Sequence, residues 1–157
     1  MITINNFLKD IDSNYFINFH KNNFNLNNCF SFLHRKTECI EWNNISKHSQ
    51  IIKLYKKHKF FIERNYHNLE VNYFQIVKWP KGEKQKVHLD FDYHPLTSII
   101  YLNDDFEGGE TKVGENVIKP KKNKLIAFSG NKIKHEVFEI TNGIRYTITC
   151  WYKNKRK

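Results

Sequence analysis

The chain has 157 residues, 15% of them aromatic, and carries 26 Lys and Arg against 16 Asp and Glu, a formal net charge of +10. This length suits one domain (residues 1–157) with a sizeable core and no second unit, and no run approaches the ~20 apolar residues of a membrane-spanning helix. Residues 1–6 lack the basic and apolar regions of a secretory leader, and three cysteines without a Cys-x-x-Cys pair fit a reducing compartment, so a cytoplasmic location is expected.

In chain order, a first helix is predicted to begin near Asp12 or Ser13, either of which can cap it, and to run through Phe16, Phe19 and His20. Residues 27–41 read as strand-like or irregular. A second helix follows, capped near Asn44 or Ser46, with Ile51, Ile52, Leu54, Tyr55, Phe61 and Ile62 facing inward. Beyond residue 68 the pattern turns to β. Strand-like runs fall at 71–79, 87–91, 98–102, 109–113, 125–128, 135–140 and 145–151, separated by turn signals such as Lys81-Gly82, Ser129-Gly130-Asn131 and Asn142-Gly143. Many short strands at this spacing predict a mainly β (α+β) fold, a sandwich or jelly roll at residues 69–152 supported by the helices of residues 1–68.

The positive charge suits an acidic partner or a nucleic acid. Only four of the 26 basic residues are arginine, however. The basic clusters at 53–59, 119–124 and 153–157 also lack the aromatic interleaving of a single-strand track. A nucleic-acid partner is therefore the alternative reading and not the favoured one.

One constellation carries chemistry. In His88-Leu89-Asp90 the imidazole and the carboxylate are i and i+2, so on a strand they leave the same face while Leu89 points away. His135, from a distant strand, can complete two neutral imidazoles and one carboxylate. That donor set suits Fe(II) and leaves three coordination positions open. The competing histidines His20, His34, His48, His58 and His67 all precede the first ligand and read as surface or packing residues. Asp92, at i+4 from His88, reads as outside the ligand set.

The words around these residues are Gln75-Ile-Val-Lys-Trp-Pro-Lys-Gly82, His88-Leu-Asp-Phe91, Ser98-Ile-Ile-Tyr-Leu-Asn103, Phe106-Glu-Gly-Gly-Glu-Thr111, Lys134-His-Glu-Val137 and Gly143-Ile-Arg-Tyr-Thr-Ile-Thr-Cys-Trp-Tyr152. In this order the chain resembles the prolyl 4-hydroxylase group of Fe(II)/2-oxoglutarate-dependent dioxygenases. The resemblance implies a double-stranded β-helix, with His88, Asp90 and His135 as catalytic iron ligands. It implies that Arg145, ten residues after His135, pairs with the distal carboxylate of 2-oxoglutarate, where a planar, permanently charged fork is well matched. Tyr101 is expected at the same carboxylate, and Thr147, two residues along the strand from Arg145, can add a hydroxyl.

The same resemblance implies that Trp151 and Trp79 face the substrate. Trp79 stands where relatives often have tyrosine, and Gln85 where an aromatic is frequent. The implied activity takes O2 as second cosubstrate, with ascorbate as reductant, and hydroxylates an unactivated C–H bond with release of succinate and CO2. A prolyl residue in a peptide or protein is the expected substrate. Another side chain or a free amino acid is the alternative. The segment Gly108-Gly109-Glu110-Thr111 lacks the Lys-Ser/Thr of a phosphate loop and reads as a tight turn into a strand. The loops at 81–87 and 91–95, beside the ligands, read as lids.

Overall fold

Period-two alternation of apolar residues builds a six-stranded, a four-stranded and a two-stranded (Glu107–Gly108 with Ile140–Asn142) sheet, and a 3.6-residue stripe on the helices covers the outer face of the largest one. The computed structural model describes residues 1–26 and 37–156; Cys29 and His34 lie outside the described residues. In chain order the first half comprises β1 (Ile2–Ile4), α1 (Asp10–Asn22), β2 (Glu38–Glu41), α2 (Trp42–Ile45) and α3 (Ser49–Asn65). The second half is all strand: β3 (Leu69–Trp79), β4 (Gln85–His88), β5 (Leu96–Tyr101), β6 (Glu107–Gly108), β7 (Thr111–Val113) and β8 (Asn116–Ile118). It ends with β9 (Leu125–Phe128), β10 (His135–Val137), β11 (Ile140–Asn142) and β12 (Arg145–Asn154).

The major sheet has six strands in the order β1-β9-β5-β12-β3-β2, and the minor sheet four in the order β4-β10-β7-β8. Side-chain parity sorts the major sheet into two faces. Ile40, Phe74, Ile76, Leu96, Ile100, Leu125, Tyr146, Ile148, Cys150 and Tyr152 point outward and form one core with Phe16 and Phe19 of α1 and Ile51, Leu54, Phe61 and Ile62 of α3. The opposite parity points between the sheets: Ile99, Tyr101, Ile126 and Phe128 pack on Val113, and Cys39, Val77 and Trp79 pack on Val137 and Ile140. This is the expected jelly-roll arrangement, with the N-terminal helices on its outer flank. No described helix is long and apolar enough to cross a membrane.

Local details depart from the sequence expectation for physical reasons. Helix α1 starts at Asp10 after the cap residue Lys9. Asp12 caps from inside, accepting the Lys9 backbone N–H at 3.3 Å. Ser13 is buried and gives its hydroxyl to Asn123 instead. Helix α3 starts at Ser49 after His48, because the short helix α2 occupies the region where a cap was expected. Ile52 is 37% exposed and does not join the core.

The run at 135–140 is not one strand. β10 pairs with β4 and β7, whereas β11 pairs with β6. The chain crosses between the sheets where Phe138 N–H bonds Glu110 O and Gly109 N–H bonds Glu139 O. Gly108, at φ +73°, is required there, since a Cβ would overlap Glu139 O.

Candidate functional site

β4 and β10 place His88 directly opposite His135, so the two imidazoles share a face with ring centres 4.2 Å apart. Strand β4 ends at His88. Asp90 lies just past that end, its N–H held by Gly130 O at 2.9 Å. The carboxylate Oδ1 comes within 3.6 Å of His135 Nε2 and 3.8 Å of His88 Nε2. One donor atom from each of the three residues falls within 4.8 Å of the others, a grouping that could hold one metal ion.

The protonation pattern suits a metal. His88 Nδ1 lies 2.8 Å from Lys86 O and His135 Nδ1 2.9 Å from Ile133 O. Carbonyls only accept, so each Nδ1 carries the proton and each Nε2 offers its lone pair. Burial, reinforced by the neighbouring His135, pushes His88 below its ordinary value and favours the neutral ring. Burial works to raise the Asp90 carboxyl, but the neighbouring His135 and the hydrogen bond from Thr97 prevail and hold it below the usual carboxylate range. The Gln85 amide donates to His88 Nε2 at 3.0 Å, a bond that a metal ion at that lone pair would replace.

The sequence expectation placed Arg145 and Tyr101 on one anion, and the structure brings them together. Arg145 is 1% and Tyr101 0% exposed. The guanidinium Nη2 donates to Thr111 Oγ1 at 3.2 Å and the Tyr101 hydroxyl donates to the same oxygen at 2.7 Å. Among the described residues no carboxylate pairs with Arg145, and its Nε is buried without a partner. Burial pushes the guanidinium down to about 10, so it is still a cation at neutral pH. A buried cation without a counterion is strongly disfavoured; an arriving carboxylate relieves that penalty. Burial also pushes the Tyr101 phenol up, which keeps its proton available for donation.

Trp79 is placed differently from the expectation. Trp79 is only 5% exposed, its ring lies 4.9 Å from the Arg145 guanidinium carbon, and its Nε1 donates to Thr147 Oγ1 at 3.2 Å. It forms the wall behind Arg145 and is not at the substrate mouth. Thr147 faces the interior as expected, with its oxygen engaged by Trp79 and its own O–H left to donate. Trp151 is half-buried at the far end of β12, stacked on Tyr73 at 4.9 Å. Beyond it, His94 is buried and accepts from Asn72 Nδ2 at 3.0 Å, and Phe91 and Tyr93 stack on each other in the open.

Of the two loops read as lids, the first is pinned: Gly82 N–H bonds Ile140 O at 2.8 Å and Ile140 N–H bonds Glu83 O at 3.0 Å. Sequence reasoning missed Thr97, Thr111 and Gly130. Thr111 and Gly130 were visible only as turn and strand residues, because their roles depend on which strands the fold brings together.

Comparison with known proteins bears on this geometry. The family model of the 2OG-Fe(II) oxygenase superfamily matches residues 74–153. The chain belongs to that superfamily. Fe(II) and 2-oxoglutarate are accordingly its cofactors, and the His88, Asp90 and His135 donor set with the unpaired Arg145 fits both. Prolyl 3-hydroxylase 2 of Rattus norvegicus is 34% identical over 70 residues, covering 40% of this chain and 10% of that protein. The chain thus spans about a tenth of the length of the curated relatives it matches. Its fold is shared by solved structures, among them the two that follow. A viral collagen prolyl hydroxylase from Paramecium Bursaria Chlorella virus-1, in complex with 2OG, has TM-score 0.78 and 23% identity, covering 99% of this chain and 96% of that one. A prolyl-4-hydroxylase of Pseudomonas putida has TM-score 0.82 and 16% identity, covering 99% and 92%.

Proposed function

We propose that this oxygenase hydroxylates a prolyl residue of a peptide or protein at C4, with His88, Asp90 and His135 as iron ligands and Arg145 as the anchor of 2-oxoglutarate. The observation that carries this reading is Arg145, a fully interior cation that has no carboxylate partner among the described residues and lies in the same inter-sheet space as the triad. Arg145 and Tyr101 converge on the C5 carboxylate, Thr111 orients both donors, and Trp79 closes the back of the pocket against water. Thr147 adds a hydroxyl beside the same carboxylate. Two neutral imidazoles and one carboxylate neutralise half of a dipositive ion's charge and leave three positions for cosubstrates.

Bound Fe(II) supplies the oxygen activation that couples decarboxylation of 2-oxoglutarate, to succinate and CO2, with C–H hydroxylation. The protein's share is orientation and dryness: His88 and His135 present fixed lone pairs, and the half-buried Trp151 offers a flat face to a proline ring at the mouth. Ascorbate would be the reductant in this reading. Two free, buried thiols, Cys39 and Cys150, support a reducing, cytoplasmic setting.

Prolyl specificity is supported by the names of the relatives, among which 3- and 4-hydroxylases both occur. The test is succinate formation by the Fe(II)-loaded protein with and without proline-containing peptides, with mass spectrometry and fragment analysis of the product. A +16 Da shift on proline, resolved as 4-hydroxyproline, is expected. Succinate without peptide oxidation redirects the search to other side chains or free amino acids, and absence of 2-oxoglutarate binding overturns the reading.

A further inference from the structure

The Asp90 carboxylate has two oxygens in unlike surroundings. Oδ1 faces the two imidazole Nε2 atoms at 3.6 and 3.8 Å. Oδ2 faces the other way and accepts a hydrogen bond from Thr97 Oγ1. Thr97 is 2% exposed on the inner face of β5, and its β-branched side chain has few rotamers in which to sit.

Gly130 lies against the same oxygen, Oδ2, and against the Thr97 hydroxyl that holds it. Of the six glycines in the chain, five have positive φ and Gly130 does not. Its backbone suits any residue, so the demand for glycine here is a demand for room. A Cβ on Gly130 would overlap Asp90 Oδ2, and it would fall 2.5 Å from Thr97 Oγ1 and 3.0 Å from Asp90 Cγ. Gly130 also holds the Asp90 main chain through its carbonyl, at 2.9 Å. Main chain and side chain of the ligand are thus docked on one residue.

We propose that Thr97 is a positioning residue that, together with the side-chain-free Gly130, locks the Asp90 carboxylate so that only Oδ1 faces the metal. The inference rests on the ligand reading given above. Its chemical consequence is a count of positions. With one oxygen from Asp90 and one nitrogen from each histidine, three of six positions stay open, enough for a two-point chelate and one further small molecule. If Oδ2 also turned inward, one of those positions would be lost. Thr97 occupies Oδ2 with a donor that a metal cannot replace without breaking the bond, and Gly130 leaves the carboxylate the space this pose needs.

The experiment is titration of Mn(II) into the metal-free protein by calorimetry, together with the visible ligand-field spectrum of the Co(II)-substituted protein. Thr97→Val keeps the shape and removes the donor; it is expected to weaken Mn(II) binding about 10- to 100-fold, as loss of a partner behind a metal ligand does, and to change the Co(II) spectrum. Thr97→Ser restores the donor and is expected to recover both to within about threefold, well inside that loss. A purely structural role for Thr97 would lower the melting temperature without altering the Co(II) spectrum.

Gly130→Ala is an independent arm that keeps the hydroxyl but crowds Oδ2. It is expected to weaken Mn(II) binding to a similar degree, and it decides the matter if Thr97→Val does not fold. Wild-type affinity and spectrum in Thr97→Val, or in Gly130→Ala, overturns the proposal. Asp90→Ala and His135→Ala separate the two levels of the argument. If they too bind Mn(II) like wild type, the ligand reading has failed; if they lose binding while the Thr97 and Gly130 variants do not, only the lock has failed.

Discussion

The Arg145 guanidinium carbon sits 5.4 Å from the centre of the Tyr101 ring, and the polar ends of both side chains meet on one oxygen, Thr111 Oγ1. Three strands, β12, β5 and β7, therefore contribute to a single anion cradle. Replacing the charge with Arg145→Gln should raise the dissociation constant for 2-oxoglutarate roughly 10- to 100-fold, from the 1.5–3 kcal/mol that a hydrogen bond to a charged group contributes. Tyr101→Phe should raise it less, up to about tenfold. Calorimetric titration of 2-oxoglutarate into the Mn(II)-loaded protein reads this without turnover. Unchanged affinity in Arg145→Gln would place the anchor elsewhere.

Gly109 supports the same cradle from below. It has φ +69°, and a Cβ there would lie 3.0 Å from both Arg145 Cδ and Phe106 Cε2. Gly109→Ala should destabilise the fold by about 1–2 kcal/mol through the positive φ, a drop of very roughly 2–8 °C in Tm for a chain of this size. It should also weaken 2-oxoglutarate binding. Gly114→Ala is the control: its φ is +57° but the nearest atom to a Cβ is Ile133 Cγ2 at 3.5 Å, so stability alone should fall.

Trp151 lies at the other end of β12 from the anchor. Trp151→Ala should raise the KM for a proline-containing peptide roughly 2- to 10-fold, the 0.5–1.5 kcal/mol range of a ring contact. Its 2-oxoglutarate affinity should stay at the wild-type value. A variant with unchanged peptide KM would remove Trp151 from the substrate surface.

Away from the site, His58 is buried, with Nδ1 2.8 Å from the Tyr152 hydroxyl and Nε2 without a partner. Burial, with help from Lys57, pushes it down to about 3, against about 6.5 in the unfolded chain. The unfolded state therefore binds more protons between these values. Stability from the neutral ring is complete above pH 6.5 and is lost progressively as pH falls from there toward 3, by about 2 kcal/mol at pH 5. Thermal melts at pH 7.5 and pH 5 should show a smaller acid-induced drop in Tm for His58→Phe than for wild type. Equal drops in the two proteins would show that His58 already takes up its proton in the fold.

How much of this could be read without coordinates depended on the range of the interaction. The His88-Leu89-Asp90 spacing is local, and so the motif was legible, as was the order of short strands that builds the jelly roll; the expected strand at 87–91 was not, because β4 ends at His88 and the Gly130 carbonyl, not strand parity, holds Asp90. Thr97, Thr111 and Gly130 act through partners 7, 34 and 40 residues away in sequence, and their residue types alone say nothing of that. Trp79 was misplaced for a related reason: sequence shows an aromatic near the ligands but not that Thr147 and Arg145 bury it. The break between β10 and β11 was hidden because apolar residues, Val137, Phe138 and Ile140, stand on both sides of the point where the chain changes sheets.

The two imidazole tautomers are set by a repeated local motif: His88 Nδ1 bonds the carbonyl of Lys86 and His135 Nδ1 that of Ile133, in each case two residues back. Each Nδ1 proton is held by a main-chain carbonyl, and at His88 the Gln85 amide adds a donor to Nε2. The orientation of both rings is thus encoded in main-chain atoms, which substitution cannot delete. Substitutions in the walls and the mouth of this pocket leave those two carbonyls in place, so what the pocket accepts is separable from how the two nitrogens are presented.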